Sequence, residues 1–470
     1  MPIAGHPYQV LTDQEIQLIC TSAMRILQEI GMQIQNESLL HRLADFGLPV
    51  NFQSERVLFP QEVVDRWLDK CDKYNWDSHT PTVTSQAGVY HGKFHDPRSN
   101  QLLPWNEEKL VYYFKLARRL PNVGSAQMLG CRLPCSPKLE ALYERYYCWK
   151  YGAIPGSSIY EDDICPYLFD LYELRASQQN LPLKEVFDGT VYLQPPLKLG
   201  RHEAYQVEWF LQKGLRVGIG DMYAMGASAP ATLAGAVTLN LAEQFALNIL
   251  KWALFGDTGF HLHSSIAPMD MRTMVHAFGR PEMAVANVMT VQLARHYQAS
   301  FGGHAALTDA KLPSPESGAQ KALTGAITLL AGGSLWVDAG LLSADEIYSP
   351  IQLILDNELI SALKRLVYDF QVNEETIGLE TILETGPGHQ FMDKDHTVRH
   401  YRTEHWQPRM WTRTMLAPWL EEGAKLDVDR AREYALAVWE EAPELPFLPE
   451  TQEKDILKII AHAEKALQTS

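Results

Sequence analysis

Ala299-Ser-Phe-Gly-Gly303, running into His304, and Leu335-Trp-Val-Asp-Ala339 are two short strand-like runs separated by an amphipathic helical stretch. The same rhythm sets in after Pro121 and recurs along the chain. Further candidate strands are Asn122 to Met128, Ala153 to Ile159, Thr190 to Gln194, Arg216 to Gly220 and Gly259 to His263, and an eighth is expected near Thr381 to Thr385. Most end in or beside Gly, Ser, Pro or a polar residue, and helical runs follow. Roughly eight alternations over about 270 residues suit a (β/α)8 TIM barrel, whose typical length is about 250 residues. A doubly wound open sheet produces the same alternation, so the pattern places the chain in the α/β class and prefers the barrel.

Working outward, the N-terminal region reads as a helical cap. Thr12 and Glu15 fit a capping box, and Ile16, Ile19, Ala23, Ile26, Leu27 and Ile30 make one apolar stripe that stops at Gly31. A second helix is expected from Glu37 to Phe46, a short strand from Arg56 to Phe59, and a third helix from Pro60 to near Lys70. Short β pieces follow, including Val89-Tyr-His, Gly92-Lys-Phe and Leu102-Leu103, before Asn106 caps a helix from Glu107 to Leu120. Beyond about Ala424 the tail is helical, interrupted by a proline-rich linker at Pro443 to Pro449. The expected organisation is residues 1–105 as an N-terminal helical cap with a small β segment, 106–423 as the barrel, and 424–470 as a C-terminal helical extension.

Composition narrows the partners. A formal net charge of −16 with no long basic run argues against nucleic acid and against an anionic membrane surface. No apolar stretch approaches the ~20 residues of a membrane helix. The N-terminus lacks a basic region followed by an apolar one, and six cysteines lie scattered through the chain. Reduced thiols and a cytoplasmic location are expected.

In a parallel barrel the residues just beyond the strand ends converge on one mouth. Here these include Gln127, Tyr160, Gln194, Tyr223, His261, His263, His304, Trp336 and Asp338. The set is rich in aromatic rings and imidazoles and short of carboxylates. It suits a quaternary ammonium, which donates no conventional hydrogen bond and is held on ring faces at about 0.5–2 kcal/mol per contact. Trp336 and Tyr223 also suit simple filling of a barrel interior. His261, His263 and His304 could imitate a three-histidine zinc hydrolase site, but no acidic partner stands at fitting spacing, and no metal is expected. Neither a phosphate loop nor a nucleophile elbow is present.

A denser segment lies near the C-terminus, where Gly386-Pro-Gly-His-Gln-Phe-Met-Asp-Lys-Asp-His396 leads to Arg402, Trp406, Pro408 and Arg413. It belongs with Leu11-Thr-Asp-Gln-Glu15, Ile26-Leu-Gln-Glu-Ile-Gly31, Gly226-Ala-Ser-Ala-Pro-Ala-Thr-Leu-Ala-Gly235 and Ala242-Glu243. Asp270-Met-Arg272, Gly279-Arg-Pro-Glu282, Gln292-Leu-Ala-Arg295-His-Tyr297 and Leu355-Asp-Asn-Glu358 complete the set. In this order, over nearly the full length, these segments resemble the trimethylamine methyltransferase superfamily, among its members without pyrrolysine. The resemblance implies a (β/α)8 barrel that moves a methyl group from an amine to the Co(I) centre of a separate cognate corrinoid protein. The chain would hold no permanent cofactor, the corrinoid (cobalamin) being supplied by that partner. The implied donor is a small quaternary amine, with glycine betaine first and proline betaine, carnitine or a butyrobetaine as alternatives; homo-oligomers are also possible. A non-enzymatic quaternary ammonium binder and a metal-assisted barrel hydrolase are the rival classes.

Chemistry favours a quaternary donor when pyrrolysine is absent. The departing product is a neutral tertiary amine, so no general acid is needed to make the leaving group. Trimethylamine would leave as a poor amide-like anion unless activated first. The protein's main task is then in-line placement of the methyl group in a dry pocket. For a betaine carboxylate, His261, His263, His304, Arg295 and helix N-terminal N–H groups are the candidate partners. For the Gly386 to Arg413 run, tying a long loop to the barrel is preferred over shaping the mouth or docking the partner.

Overall fold

The computed structural model describes residues 7–88, 92–128, 135–442 and 446–467. Its N-terminal part forms because each helix is signalled locally. Asp13–Glu29 starts at a reciprocal Thr12/Glu15 capping box and buries Ile16, Ile19, Cys20, Ala23 and Leu27. Glu37–Asp45 is capped by Asn36, Gln61–Lys70 begins after Pro60, and Glu107–Arg119 is capped by Asn106. The expected Val89-Tyr-His strand lies outside the described residues, as does part of the 443–449 linker.

The centre is an α/β fold of parallel strands flanked by long helices. His261–Ser264, Ser300–His304, Ser334–Ala339 and Val83–Ala87 pair in that order, every pair parallel. Thr190–Tyr192 pairs parallel with Gly218–Gly220. Single parallel bridges add Ala126 beside Ala87 and Ser158 beside Thr190. A further parallel pair, Tyr223–Met225 with Ile266–Asp270, continues directly from the strands at 218–220 and 261–264.

Two expectations need correction. Thr381–Thr385 is no strand: it lies in the helix Leu379–Thr385. Its β-branched Thr381 and Ile382 suggest a strand, yet the segment follows the left-handed Gly378 cap and finds no sheet edge. The strand beside Ser334–Ala339 is instead Val83–Ala87, from the stretch read as part of the N-terminal cap. The runs Asn122–Met128 and Ala153–Ile159 likewise contribute one bridge each at Ala126 and Ser158, because Gly, Ser and Pro leave them little regular ladder.

The helices Leu233–Phe255, Pro281–Tyr297, Pro315–Leu330 and Pro350–Leu366 pack against these strands. Contrary to the expectation that no apolar stretch nears membrane length, Leu233–Phe255 is long and apolar enough to cross one, but most of it is buried against Asp13–Glu29 and Pro281–Tyr297. It is the core helix of this fold. Between Pro315–Leu330 and Pro350–Leu366, Lys321 donates to Asp356 at 2.7 Å, both fully buried, and Asp356 also accepts from the Gly340 N–H at 2.8 Å and from Gln352 at 2.8 Å. That satisfied pair fixes the turn just beyond Asp338.

Candidate functional site

Along the parallel strands alternate residues point to opposite faces. Leu262, Phe301, Leu335 and Val337 are buried under the helices. Their neighbours His261, His263, His304, Trp336 and Asp338 turn to the other face. There Trp336 remains 40 % exposed and Tyr192 50 %, although both lie on paired strands. Tyr160, just past the Ser158 bridge, is 36 % exposed. Large rings left open on strands whose other face is fully covered mark a surface built for something other than core packing.

Small residues make the room. A Cβ on Gly220 would meet the Tyr192 ring at 3.0 Å, and one on Gly302 would touch His261. Ser158, buried between the phenols of Tyr160 and Tyr192, shares hydrogen bonds with both, and burial raises both phenol pKa values.

Each histidine is held by its own partner. His304 Nε2 donates to Asp338 Oδ2 at 3.0 Å, and the Asp338 carboxylate also receives Trp336 Nε1 at 3.2 Å and Gln86 Nε2 at 3.3 Å. Burial works against the imidazolium of His304, but the bond to Asp338 and the charges of Asp338 and Asp345 outweigh it, so its pKa is raised. His263 pairs with the buried Asp221, which also accepts from Gln244 Nε2 at 2.6 Å. His261 contacts Ser300 Oγ at 2.9 Å, and its pKa falls to about 4 through burial and the positive potential of His263 and Lys251. It is a neutral imidazole at pH 7. Among the described residues no three potential metal ligands converge.

The other residues expected at the mouth have different surroundings. Gln127 is half-buried and held through its backbone, its N–H on Ala87 and its carbonyl on the Tyr113 hydroxyl. Gln194 is exposed, two residues past Tyr192, and donates weakly to Glu203 at 3.3 Å. Tyr223 is fully buried, because its strand pairs with Ile266–Asp270 and turns the ring toward Glu243. Arg295 lies over the Trp76 ring at 4.5 Å beside Gly332, which precedes the Ser334–Ala339 strand and so sits at its far end.

Composition-led reading missed the second layer. Asn248 donates to the His261 carbonyl at 2.9 Å, Asn240 to the His263 carbonyl at 3.1 Å, and Asn287 to the His304 carbonyl at 3.2 Å. All three asparagines are buried. Their signal was present: Asn240, Gln244 and Asn248 stand four apart as a polar line on an otherwise apolar helix.

The comparisons with known proteins follow this geometry. The trimethylamine methyltransferase (MTTB) family pattern matches residues 174–467. The chain belongs to the trimethylamine methyltransferase (MTTB) family. A trimethylamine methyltransferase of Desulfitobacterium hafniense strain DCB-2 is 24% identical over 98% of this chain and 95% of its own length. One from Methanosarcina thermophila is 26% identical over 90% of each chain. A glycine betaine methyltransferase of D. hafniense strain Y51 is 23% identical over 88% of this chain and 89% of its own. As an MTTB-family member the chain is a methyltransferase, which sets aside the hydrolase and pure-binder readings.

Family segments also acquire structural roles. Arg280 donates to Asp270 at 2.5 Å, Asp356 takes Lys321, and the buried Glu358 accepts the N–H groups of Arg409 and Met410 at 2.6 and 2.9 Å. Trp406 Nε1 donates to Ser361 at 2.9 Å. The 405–411 part of the C-terminal run is thus tied to Pro350–Leu366.

Proposed function

We propose that this methyltransferase takes a methyl group from a quaternary amine, glycine betaine first, and delivers it to the Co(I) of a corrinoid protein. The observation that carries the reading is the exposure of the Tyr192 and Trp336 rings on the open face of the central strands. A trimethylammonium head seated there gains cation–π attraction without needing a hydrogen-bond donor. Asp338 and Asp221 are each claimed by an imidazole, so the face combines ring surface with polar pairs, as a zwitterion requires. The methyl carbon leaves with its N–C electron pair remaining on nitrogen, giving a neutral tertiary amine, and the reduced corrinoid supplies the electron pair of the new bond. No proton moves, which agrees with a neutral His261 and with imidazoles held on carboxylates. This chain's residues bind and orient the donor and exclude water.

The eight parallel segments are read as a closed (β/α)8 barrel in the order 83–87, 126, 158, 190–192, 218–220, 261–264, 300–304 and 334–339. Support comes from the ladder returning from Ser334–Ala339 to Val83–Ala87, and from the 223–225 with 266–270 pairing, which spans the join between 218–220 and 261–264. The barrel unit then begins near residue 83 rather than 106. We also read the chain as cytoplasmic, in keeping with the cysteines that are unpaired among the described residues, and as a homo-oligomer, because the segment 370–420 leaves Val372, Ile382, Leu383, Met392, Met415 and Leu416 open to solvent.

The test is a panel of glycine betaine, proline betaine, carnitine, tetramethylammonium and trimethylamine with Co(I) cobalamin, free or protein-bound, followed by the cobalt spectrum. Glycine betaine is expected to give methylcobalamin and dimethylglycine. Turnover of trimethylamine with no quaternary amine active would overturn the donor assignment.

A further inference from the structure

Ser343, Ala344 and Asp345 take left-handed backbone conformations in succession, with φ of 57°, 49° and 73°. None is glycine, and L-residues visit this region singly rather than in runs. Such strain persists only where the surroundings fix it, and it gathers at functional sites. The turn joins the antiparallel strands Leu341–Leu342 and Ile347–Tyr348. It is pinned from outside by the Ser343 N–H on the Ala310 carbonyl at 2.8 Å and the Ala344 N–H on the Thr308 carbonyl at 3.1 Å. From inside, Ser343 Oγ donates to Glu346 at 2.8 Å. Ala310 and Thr308 follow the Ser300–His304 strand, and the turn follows Ser334–Ala339. The strained residues therefore stand at the end of the strands that carries His304 and Asp338.

Asp345 is the consequence. Its carboxyl interacts electrically with His304, Asp338 and Lys321, the charged groups that face it. Asp338 is tied to His304, Trp336 and Gln86, and Asp221 to His263 and Gln244. Among the described residues no hydrogen bond or ion pair claims the Asp345 carboxyl. Asp345 is half-buried, and partial removal from water lifts its pKa to about 6, the direction expected of a carboxyl with no cation bonded to it. His304 is committed to Asp338, and Lys321 to Asp356 at 2.7 Å. The vacant role is that of a cation brought from outside.

We infer that Asp345, presented by the left-handed turn 343–345, is the counter-ion of the donor's ammonium head and sets the preference for a cationic over a neutral ligand. The inference rests on the quaternary-amine reading above. The ring faces supply shape and polarisability, and Asp345 supplies a carboxylate that, among the described residues, no hydrogen bond or ion pair claims.

The test is calorimetric titration of the full chain with glycine betaine, tetramethylammonium and 3,3-dimethylbutanoate, the carbon isostere of the betaine. Asp345→Asn keeps the side-chain size and tolerates the left-handed region. Asp345→Gly removes the carboxyl while relieving the strain, so the fold is kept by at least one variant, as thermal unfolding will show. Both are expected to weaken the two cations about tenfold, to leave the isostere unchanged, and to remove the rise in cation affinity between pH 5 and pH 7. Wild-type protein that binds the cations, with folded variants that bind them equally well, would overturn the role of Asp345 alone. Wild-type protein that binds no quaternary ammonium would overturn the donor reading and this inference with it.

Discussion

At the scale of residues, the open face is defined by rings that do not pack and imidazoles that are already paired. Replacing Tyr192 or Trp336 by Ala removes one cation–π contact, worth about 0.5–2 kcal/mol, or roughly a 2- to 30-fold loss of affinity for a quaternary ammonium. Circular dichroism should show an intact fold, since both rings keep 40 % or more of their surface exposed. Unchanged affinity in a folded Trp336→Ala would take that ring out of the binding face. Behind it, Glu243 is fully buried beside Asp221, and burial first, then the Asp221 charge, pushes its pKa up from 4.5 to about 8. The folded chain thus holds a proton that the unfolded chain releases above pH 4.5. Stability from this group is present at low pH and is lost as pH rises from about 4.5 to about 8. Glu243→Gln mimics the protonated carboxyl, so its melting temperature should fall less than that of wild type between pH 5 and pH 8. Parallel melting curves would show that the proton is not bound there.

At the scale of elements, placement comes from side chains on helices that catch the backbone of strands and loops. Asn240 and Asn248, two turns apart on Leu233–Phe255, hold the carbonyls of His263 and His261. Glu358 on Pro350–Leu366 does the same for the loop amides at 409 and 410. Glu358→Ala leaves those amides without their buried acceptor and should cost about 1–3 kcal/mol in denaturant unfolding. Limited proteolysis should then cut first between residues 404 and 415. Cleavage elsewhere with unaltered stability would mean that the loop is held by Trp406 and Ser361 instead. The C-terminal run was read in the sequence as a tie rather than as part of the mouth, and the bonds of Glu358 and Trp406 show how its 405–411 portion is attached.

At the scale of the whole molecule, the segment 370–420 contrasts with the rest. Its helices Leu379–Thr385, Asp395–Glu404 and Leu416–Glu421 bury only Thr385 among their residues, while Leu383, Met392, Met415 and Leu416 are each well over half exposed. A stable interface buries about 800 Å² per partner, and clustered exposed apolar side chains are the kind of surface it covers. On the proposed function, a corrinoid partner would arrive and depart at each turnover and be better served by a smaller, more polar surface, so a second copy is the expected cover. Light scattering should give a mass above one chain, and Leu383→Asp combined with Leu416→Asp should reduce it to one. A wild-type protein of single-chain mass at tens of micromolar would sink this assignment.

Local patterns were sufficient for much of the molecule. Caps at Thr12, Asn36 and Asn106, the apolar stripe of the first helix and the strand–helix alternation depend on neighbours in the chain, so they can be read from it. The aromatic and imidazole side chains past the strand ends were visible for the same reason. Long-range pairing was not legible. Val83–Ala87 gives no sign that it will lie beside Ser334–Ala339, some 250 residues away, and Thr381–Thr385 offers β-branched residues but has no edge to join. Tertiary packing also decided which rings stay open and which are buried, separating Trp336 from Tyr223, because strand register fixes the face each side chain meets. Asp345 shows the limit most plainly: an ordinary acid in sequence, it becomes the unclaimed carboxyl of the site only because three left-handed residues and two distant carbonyls hold its turn against His304 and Asp338.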